Sequence, residues 1–147
     1  MTEEGLKAGD IFTWQNYPLF MNEFKSQRWL LYLGNNSIDA MVYQISTTTQ
    51  YQHYTDGGSR IKNNFFSIPS GMGGLPQESI LDLTRFFECI PESLIDKYKS
   101  DIAKTGSLNQ DYVNKFVNHL KKDRHIRPVF KKDIYRYLKE AGYRVSV

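Results

Sequence analysis

The sequence contains very little cysteine and histidine. Its 147 residues include one cysteine, Cys89, and three histidines. A single cysteine excludes an internal disulfide and a cysteine-rich zinc site, and it favours a reducing compartment such as the cytoplasm. The histidines do not have metal-ligand spacing, and no acidic pair suggests a two-metal nuclease. We therefore expect no cofactor.

Long hydrophobic runs are also absent from the sequence. No apolar segment approaches the ~20 residues of a membrane-spanning helix, and the polar N-terminus has no apolar core of a signal peptide. Hydrophobic residues make up 40% of the chain and aromatic residues 14%, so a folded domain is expected rather than disorder. We expect one cytoplasmic domain with a substantial core and no contact with membranes.

Charge is distributed unevenly along the chain. The net charge is +3, yet residues 121–147 contain nine lysines and arginines against three acidic residues. A basic segment of this kind can attract a polyanion. It can equally be the solvated surface of a helix, and the sequence leaves both interpretations open.

The first 90 residues have the composition of β-strands, and the rest have helical periodicity. The predicted strands are Asp10–Trp14, Trp29–Leu33, Ala40–Ser46, Asn64–Ile68 and a long, bent Ser79–Ile90. The continuous apolar run of the second strand predicts burial on both faces.

Three helical segments follow these strands. The predicted helices begin at Pro91, at a capping box formed by Ser107 and Gln110, and at Pro128. The first would place Ile102 on its apolar face, and Tyr143–Val147 alternates as a short strand would. Strands followed by helices predict an α+β fold.

One arginine and a group of hydroxyl residues are the main candidates for chemistry. Arg28 opens an apolar strand, and the strand after it ends in Ser46–Thr49. A permanently charged guanidinium beside hydroxyl donors can bind a phosphate. Side chains alternate along a strand, so Ser46 and Thr47 face opposite sides. The alternatives are a surface Arg28 paired with Glu23 or Asp39, and a polar edge strand that merely favours β structure.

The order of these motifs resembles the MazF/PemK family of toxin endoribonucleases. The resemblance rests on Gly9-Asp10-Ile11, Arg28 before an apolar strand, Ile45-Ser46-Thr47-Thr48, Gly74-Leu75-Pro76 and Gly106-Ser107-Leu108. It implies a small SH3-like β-barrel (MazF/PemK/CcdB-like) with C-terminal helices over residues 1–122. Residues 123–147 would be a basic C-terminal helical extension.

The resemblance implies a function as well as a fold. The expected activity is that of a type II toxin–antitoxin endoribonuclease, which cuts single-stranded RNA without metal and leaves a 2′,3′-cyclic phosphate. Catalysis would use Arg28, Ser46 and Thr47. A homodimer and a cognate antitoxin with an acidic segment are also implied. Two departures stand out: Trp29 follows Arg28 where the family usually has proline, and the late strand offers no clean counterpart of the family's Arg and Asp, for which Arg85 is no more than a candidate substitute.

Several loop residues are candidates for binding RNA. Loop aromatics can stack on bases, and cations can bind phosphates. His53 can titrate near neutral pH, although an uninvolved loop histidine fits as well, and no other general base is evident. The candidates are Lys25, Tyr17, Phe20, Tyr51, His53, Arg60 and Arg85.

Two other functional classes compete with the nuclease. The first is a non-catalytic MazF/CcdB-like barrel that acts as an RNA- or protein-binding module. The second is a nucleic-acid-binding protein that acts through its basic tail, with the barrel serving only for dimerisation.

Overall fold

The computed structural model describes residues 5–18 and 27–147, and it has an α+β fold as the sequence predicted. Its elements are β1 (Asp10–Trp14), β2 (Arg28–Asn36), β3 (Met41–Thr48), β4 (Phe65–Ile68), β5 (Ser79–Asp82), α1 (Leu83–Phe86), β6 (Phe87–Pro91), α2 (Glu92–Lys97), β7 (Ile102–Ser107), α3 (Gln110–Lys122) and α4 (Pro128–Glu140). None of the helices in these two ranges combines the length and apolar character needed to cross a membrane.

The seven strands form one antiparallel sheet. Its order is β4-β5-β3-β2-β1-β7, and β6 also pairs with β3. A turn after β4 contacts the far edge strand, because Thr105 Oγ1 donates to the Gly73 carbonyl at 2.5 Å. Gly106 packs so closely there that a Cβ atom on it would lie 2.7 Å from the Gly73 carbonyl carbon. Side-chain bonding and a glycine contact thus connect β7 to the turn that follows β4.

The central strands are buried on both faces. On one face, a large core that includes Leu31, Ile45, Phe116 and Leu138 packs the sheet against α3 and α4. On the other face, a small core of Phe12, Trp14, Tyr17, Leu30, Tyr32, Val42 and Ile90 packs it against α2. Leu30 belongs to the small core and Leu31 to the large core, and both are fully buried. The prediction that Trp29–Leu33 is covered on both faces is confirmed.

Helix α4 lies within the predicted basic extension and contributes directly to the large core. Ile134 and Leu138 are buried against the sheet. Gly34 in β2 has a φ of +125°, and a Cβ atom there would lie 2.2 Å from Tyr137 Cδ2. The helix therefore approaches the sheet where β2 has no side chain, while its cations lie on other faces.

The single long strand predicted over Ser79–Ile90 is wrong. The one-turn helix α1 divides it into β5 and β6, and both of these pair with β3. Asp82 caps this turn, since its Oδ1 accepts from the backbone N–H groups of Thr84 and Arg85. Capping of an isolated turn interrupts a segment whose composition otherwise favours a strand.

Three further predictions about the C-terminal half are also wrong. Ile102 begins β7 rather than lying on a helix. The N-cap of α3 is Asn109, which accepts from Tyr112 N, whereas Ser107 donates to Asp10 Oδ1 at 2.8 Å. Tyr143–Val147 does not form a strand.

Candidate functional site

Arg28 and Ser46 lie side by side on the small-core face of the sheet. Antiparallel pairing sets Leu30 opposite Ser46, which places Arg28 on the same face. Arg28 donates to Ser46 Oγ through Nε at 3.0 Å and through Nη2 at 2.8 Å, and to the Thr47 carbonyl at 3.2 Å. Because Ser46 Oγ accepts both bonds, its own O–H is the group left to donate.

Thr47 has a different role from Ser46. Its hydroxyl donates to the Trp29 carbonyl at 2.8 Å, so the side chain ties β3 to β2. Strand alternation explains the difference, because neighbouring residues face opposite sides of the sheet. Only the backbone carbonyl of Thr47 contacts Arg28.

A carboxylate that sequence reasoning missed lies near Arg28. Glu88 is directly opposite Gln44 in the β3–β6 pair. Tyr17 Oη donates to Glu88 Oε1, and Gln44 Nε2 donates to the same oxygen at 3.1 Å. Gln44 Nε2 also lies 2.9 Å from Tyr17 Oη. The available signal was an acidic residue within an otherwise apolar strand segment.

Electrostatics link this network to the arginine. Burial lowers the pKa of Arg28, and the opposing influences of Tyr17 and Glu88 raise it. Burial and then the charge of Glu88 raise the pKa of Tyr17, so the phenol stays protonated. The result is a partly buried cation, a carboxylate and a neutral hydroxyl donor in one small region.

Three guanidinium groups gather around one aromatic ring. The Cζ atoms of Arg60 and Arg85 each lie 5.5 Å from the centroid of the Phe86 ring, and Arg28 Cζ lies 6.0 Å from it. Because all three distances are to the same ring centroid, the three positive charges lie close to one another. We call these four residues the arginine cluster. No pattern in the sequence predicts that these residues lie together.

Asp82 supports the arginine cluster through hydrogen bonds to the residues next to it. This carboxylate is fully buried. Besides capping the turn that carries Phe86, its Oδ2 accepts from Tyr54 Oη at 2.7 Å and from Asn63 Nδ2 at 2.8 Å. Tyr54 in turn contacts Arg60, whose Nη1 lies 3.4 Å from Tyr54 Oη. One buried acid thus anchors the two chain segments that carry Arg60 and Arg85.

A cleft opens beside Arg28 at the ends of β2 and β3. Its volume is about 190 Å³. It is lined by Gln27–Trp29, Thr47–Gln50, Leu75–Gln77 and Ser79. Arg28 lines this cleft and also belongs to the arginine cluster, so the two features share this residue.

The remaining predicted site residues do not converge on Arg28 in the same way. Tyr17 is buried, with its ring packed edge-on against Trp14, and takes part through its hydroxyl alone. Burial and Glu78 raise the pKa of Tyr51. His53 Nδ1 lies 3.4 Å from Ser59 Oγ within its own loop. Phe20 and Lys25 lie outside the described residues.

Neither a metal site nor a known relative identifies this region. Across residues 5–18 and 27–147, no group of three or more histidine, cysteine, aspartate or glutamate side chains is arranged to hold a metal ion. No known protein-family model matches the chain, and neither does any curated protein sequence. The geometry of the site is therefore the basis for assigning a function.

Proposed function

We propose that this chain is an endoribonuclease that cuts single-stranded RNA without a metal ion. The observation that carries the proposal is the position of Arg28, which is bound to Ser46 on one side and belongs to the arginine cluster on the other. Guanidinium groups match the geometry of phosphate oxygens, and several of them close together favour a polyanion. The adjacent cleft, which is lined partly by hydroxyl groups, gives an RNA strand access to Arg28.

The site residues can supply each part of the reaction. Glu88 Oε1 has two protein donors, while among the described residues none donates to Oε2, which is left to accept the 2′-hydroxyl proton. The 2′-oxygen then bonds to phosphorus and the bond from phosphorus to the 5′-oxygen breaks. Arg28 offsets charge on the phosphoryl group and gives a proton to the leaving oxygen, and Ser46 donates to a phosphoryl oxygen.

This cycle is balanced and needs no metal. Glu88 ends protonated and Arg28 deprotonated, so one proton passed between them restores both groups. Burial lowers the pKa of Arg28, which makes the guanidinium a better acid than an exposed one. The products would be a 2′,3′-cyclic phosphate and a 5′-hydroxyl.

The family assignment is part of the same proposal. An antiparallel sheet followed by helices, with Arg28 and Ser46 adjacent, is compatible with an SH3-like barrel of the MazF/PemK type. On this view the chain is a toxin that forms a homodimer and is neutralised by an antitoxin segment in the same groove.

The direct test is cleavage of a mixed-sequence single-stranded RNA in EDTA. The wild-type chain should cut it, and Arg28→Ala should lose the activity while keeping its fold, as judged by circular dichroism. Arg124→Ala removes an exposed arginine from the turn before α4 and should cut normally. If the wild-type chain leaves the RNA intact and its expression does not arrest growth, the nuclease proposal fails.

A non-catalytic binding module is the second candidate. It is favoured by the burial of Ser46, which is only 4% exposed, and by the bonds that already hold Arg28 to it. In that case the chain would bind single-stranded RNA, or a protein, without cutting RNA. Binding without cleavage in the same assay would favour this candidate.

Deleting the basic tail would not test whether it binds nucleic acid, because the tail is part of the folded core. Ile134 and Leu138 are part of the large core, so deleting residues 123–147 would disrupt the fold. Neutralising the exposed Lys132 and Lys139 leaves the core intact. A nuclease centred on Arg28 should keep cutting in this variant, whereas a tail-dependent binder should lose most of its affinity.

A further inference from the structure

Arg60 and Arg85 form no direct ion pair with an acidic side chain among the described residues. The ion pairs in that part of the chain are Lys104 with Asp10 and Arg136 with Asp133, and neither Arg60 nor Arg85 has a carboxylate at that range. Asp82 is linked to both arginines, through the backbone N–H of Arg85 and through Tyr54, which contacts Arg60. Its oxygens already accept four hydrogen bonds. The two guanidinium groups therefore remain able to bind an external anion.

The two arginines are held in place as a binding site would require. Arg60 packs against both Tyr54, at 5.7 Å from the ring centroid, and Phe86. The backbone of its loop is closed by a 2.7 Å bond from Arg60 N to the His53 carbonyl. Arg85 has its backbone N–H fixed by Asp82, and its side chain is exposed. The packing of the Arg60 side chain against two rings lowers the entropic cost of binding there.

We propose that Arg60 and Arg85, packed around Phe86, form a second phosphate subsite that holds the phosphodiester of a neighbouring nucleotide when Arg28 and Ser46 hold the first. This inference rests on the proposed RNA groove, because Arg28 is shared between the two sites. The ligand is a single-stranded polynucleotide rather than a small phosphate, since three cations around one ring can engage more than one phosphate of the same strand.

The salt dependence of binding tests this subsite directly. The probe is a 2′-O-methyl single-stranded RNA, which binds but lacks the attacking hydroxyl, followed by fluorescence anisotropy at several salt concentrations. Each phosphate contact on a single strand contributes about 0.7 to the slope of log K against log salt. Arg60→Gln/Arg85→Gln removes the one phosphate contact of this subsite and should therefore reduce the magnitude of that slope by about 0.7, and the exposed Arg85→Gln alone should produce part of that reduction.

A matched control removes the same charge elsewhere. Lys97→Gln/Lys99→Gln neutralises two exposed cations outside the cluster and should leave the slope unchanged. Arg85→Gln keeps the test valid if the double variant does not fold, because that side chain is exposed. An unchanged slope in a folded Arg85→Gln protein overturns the subsite.

Two further arms separate the remaining explanations. If the slope is unchanged but calorimetry shows that inorganic phosphate binds the wild-type chain and not the double variant, the site takes free phosphate and the RNA subsite is wrong. If the double variant shows the expected slope change with the 2′-O-methyl RNA but the wild-type chain never cuts ordinary RNA, the nuclease proposal is wrong and the subsite stands. Absence of binding by the wild-type chain overturns both.

Discussion

The two cores on opposite faces of the sheet are built from different kinds of side chain. Under α3 and α4, the central strands contribute Leu31, Leu33, Tyr43 and Ile45 to the large core. The small-core face carries a fully buried Gln44 and, at its border, Glu88, Tyr17 and Arg28. Buried polar groups cost stability unless they are hydrogen-bonded. On the proposed function, the large core supplies stability and the other face supplies the chemistry.

A single strand serves both purposes. Along β3, Tyr43 and Ile45 face the large core, whereas Gln44 and Ser46 face the polar network. A shift of one residue in register would exchange the two sets. The division of labour between the faces therefore depends on the alternation of this strand.

The most direct test of the contrast between the two faces is to neutralise Glu88 while keeping its size and its hydrogen-bond partners. Glu88→Gln keeps an oxygen that can accept from Tyr17 and Gln44 but removes the proposed base. General-base catalysis typically contributes about 10²–10⁴-fold, so we expect cleavage of single-stranded RNA to fall by that order. The rate is measured under single-turnover conditions, alongside the midpoint of thermal unfolding, which should change little.

Glu78→Gln provides the matched control. Glu78 is exposed, and its substitution should alter neither rate nor stability. If Glu88→Gln cuts RNA at nearly the wild-type rate, Glu88 is not the base. If the variant unfolds instead, the polar network is structural, and the contrast between the two faces fails.

The large core should respond in the opposite way. Leu138 is almost completely buried where α4 meets the sheet. Leu138→Ala should lower the free energy of unfolding by about 2–5 kcal/mol, through lost burial and the cavity it leaves. Urea denaturation measures this loss. RNA cleavage by the fraction that remains folded should stay close to wild type.

An exposed apolar residue of the same helix calibrates that result. Val129 is 51% exposed, and Val129→Ala should have little effect on unfolding. Equal effects of the two substitutions would mean that α4 is not an integral part of the fold. A folded Leu138→Ala protein without activity would mean that the large core also shapes the site.

Sequence patterning predicted the elements that are set by local periodicity. The bounds of β1 agree with the prediction, and the helical periodicity predicted for the later part of the chain corresponds to α3, whose Val113, Phe116, Val117 and Leu120 are buried. The turn α1 was missed, since its cap depends on Asp82, whose other oxygen is bonded by Tyr54 and Asn63 from a distant loop. Local composition cannot report such contacts.

The candidate site was predicted in part for the same reason. Arg28 and Ser46 lie on neighbouring strands joined by a short turn, so their proximity follows from a hairpin. The position of Glu88 opposite Gln44 requires the four residues of α1 to be inserted before β6. Arg60 and Arg85 meet at Phe86 only because a long loop folds back, which no periodic pattern encodes.

The smallest expected effect concerns the one histidine at the edge of the large core. His119 stacks on Phe66 with ring centroids 4.7 Å apart, and its Nδ1 lies 2.6 Å from Asn64 Oδ1. Burial lowers the pKa of His119, and the charges of Lys122 and Lys115 lower it further. The unfolded chain therefore binds this proton more tightly than the folded chain does.

The sign of the pH dependence follows from linkage. Stability from His119 is fully present above the ordinary histidine pKa of about 6.5 and is lost as the pH falls through it towards the lowered pKa of the folded state. We expect the urea midpoint to fall between about pH 7.5 and pH 5, and the fall to be smaller in His119→Gln. An equal fall in both proteins would assign the pH dependence to other groups. A change in RNA cleavage without a change in stability would contradict the division between the two faces, because this histidine stacks on Phe66 of the large core.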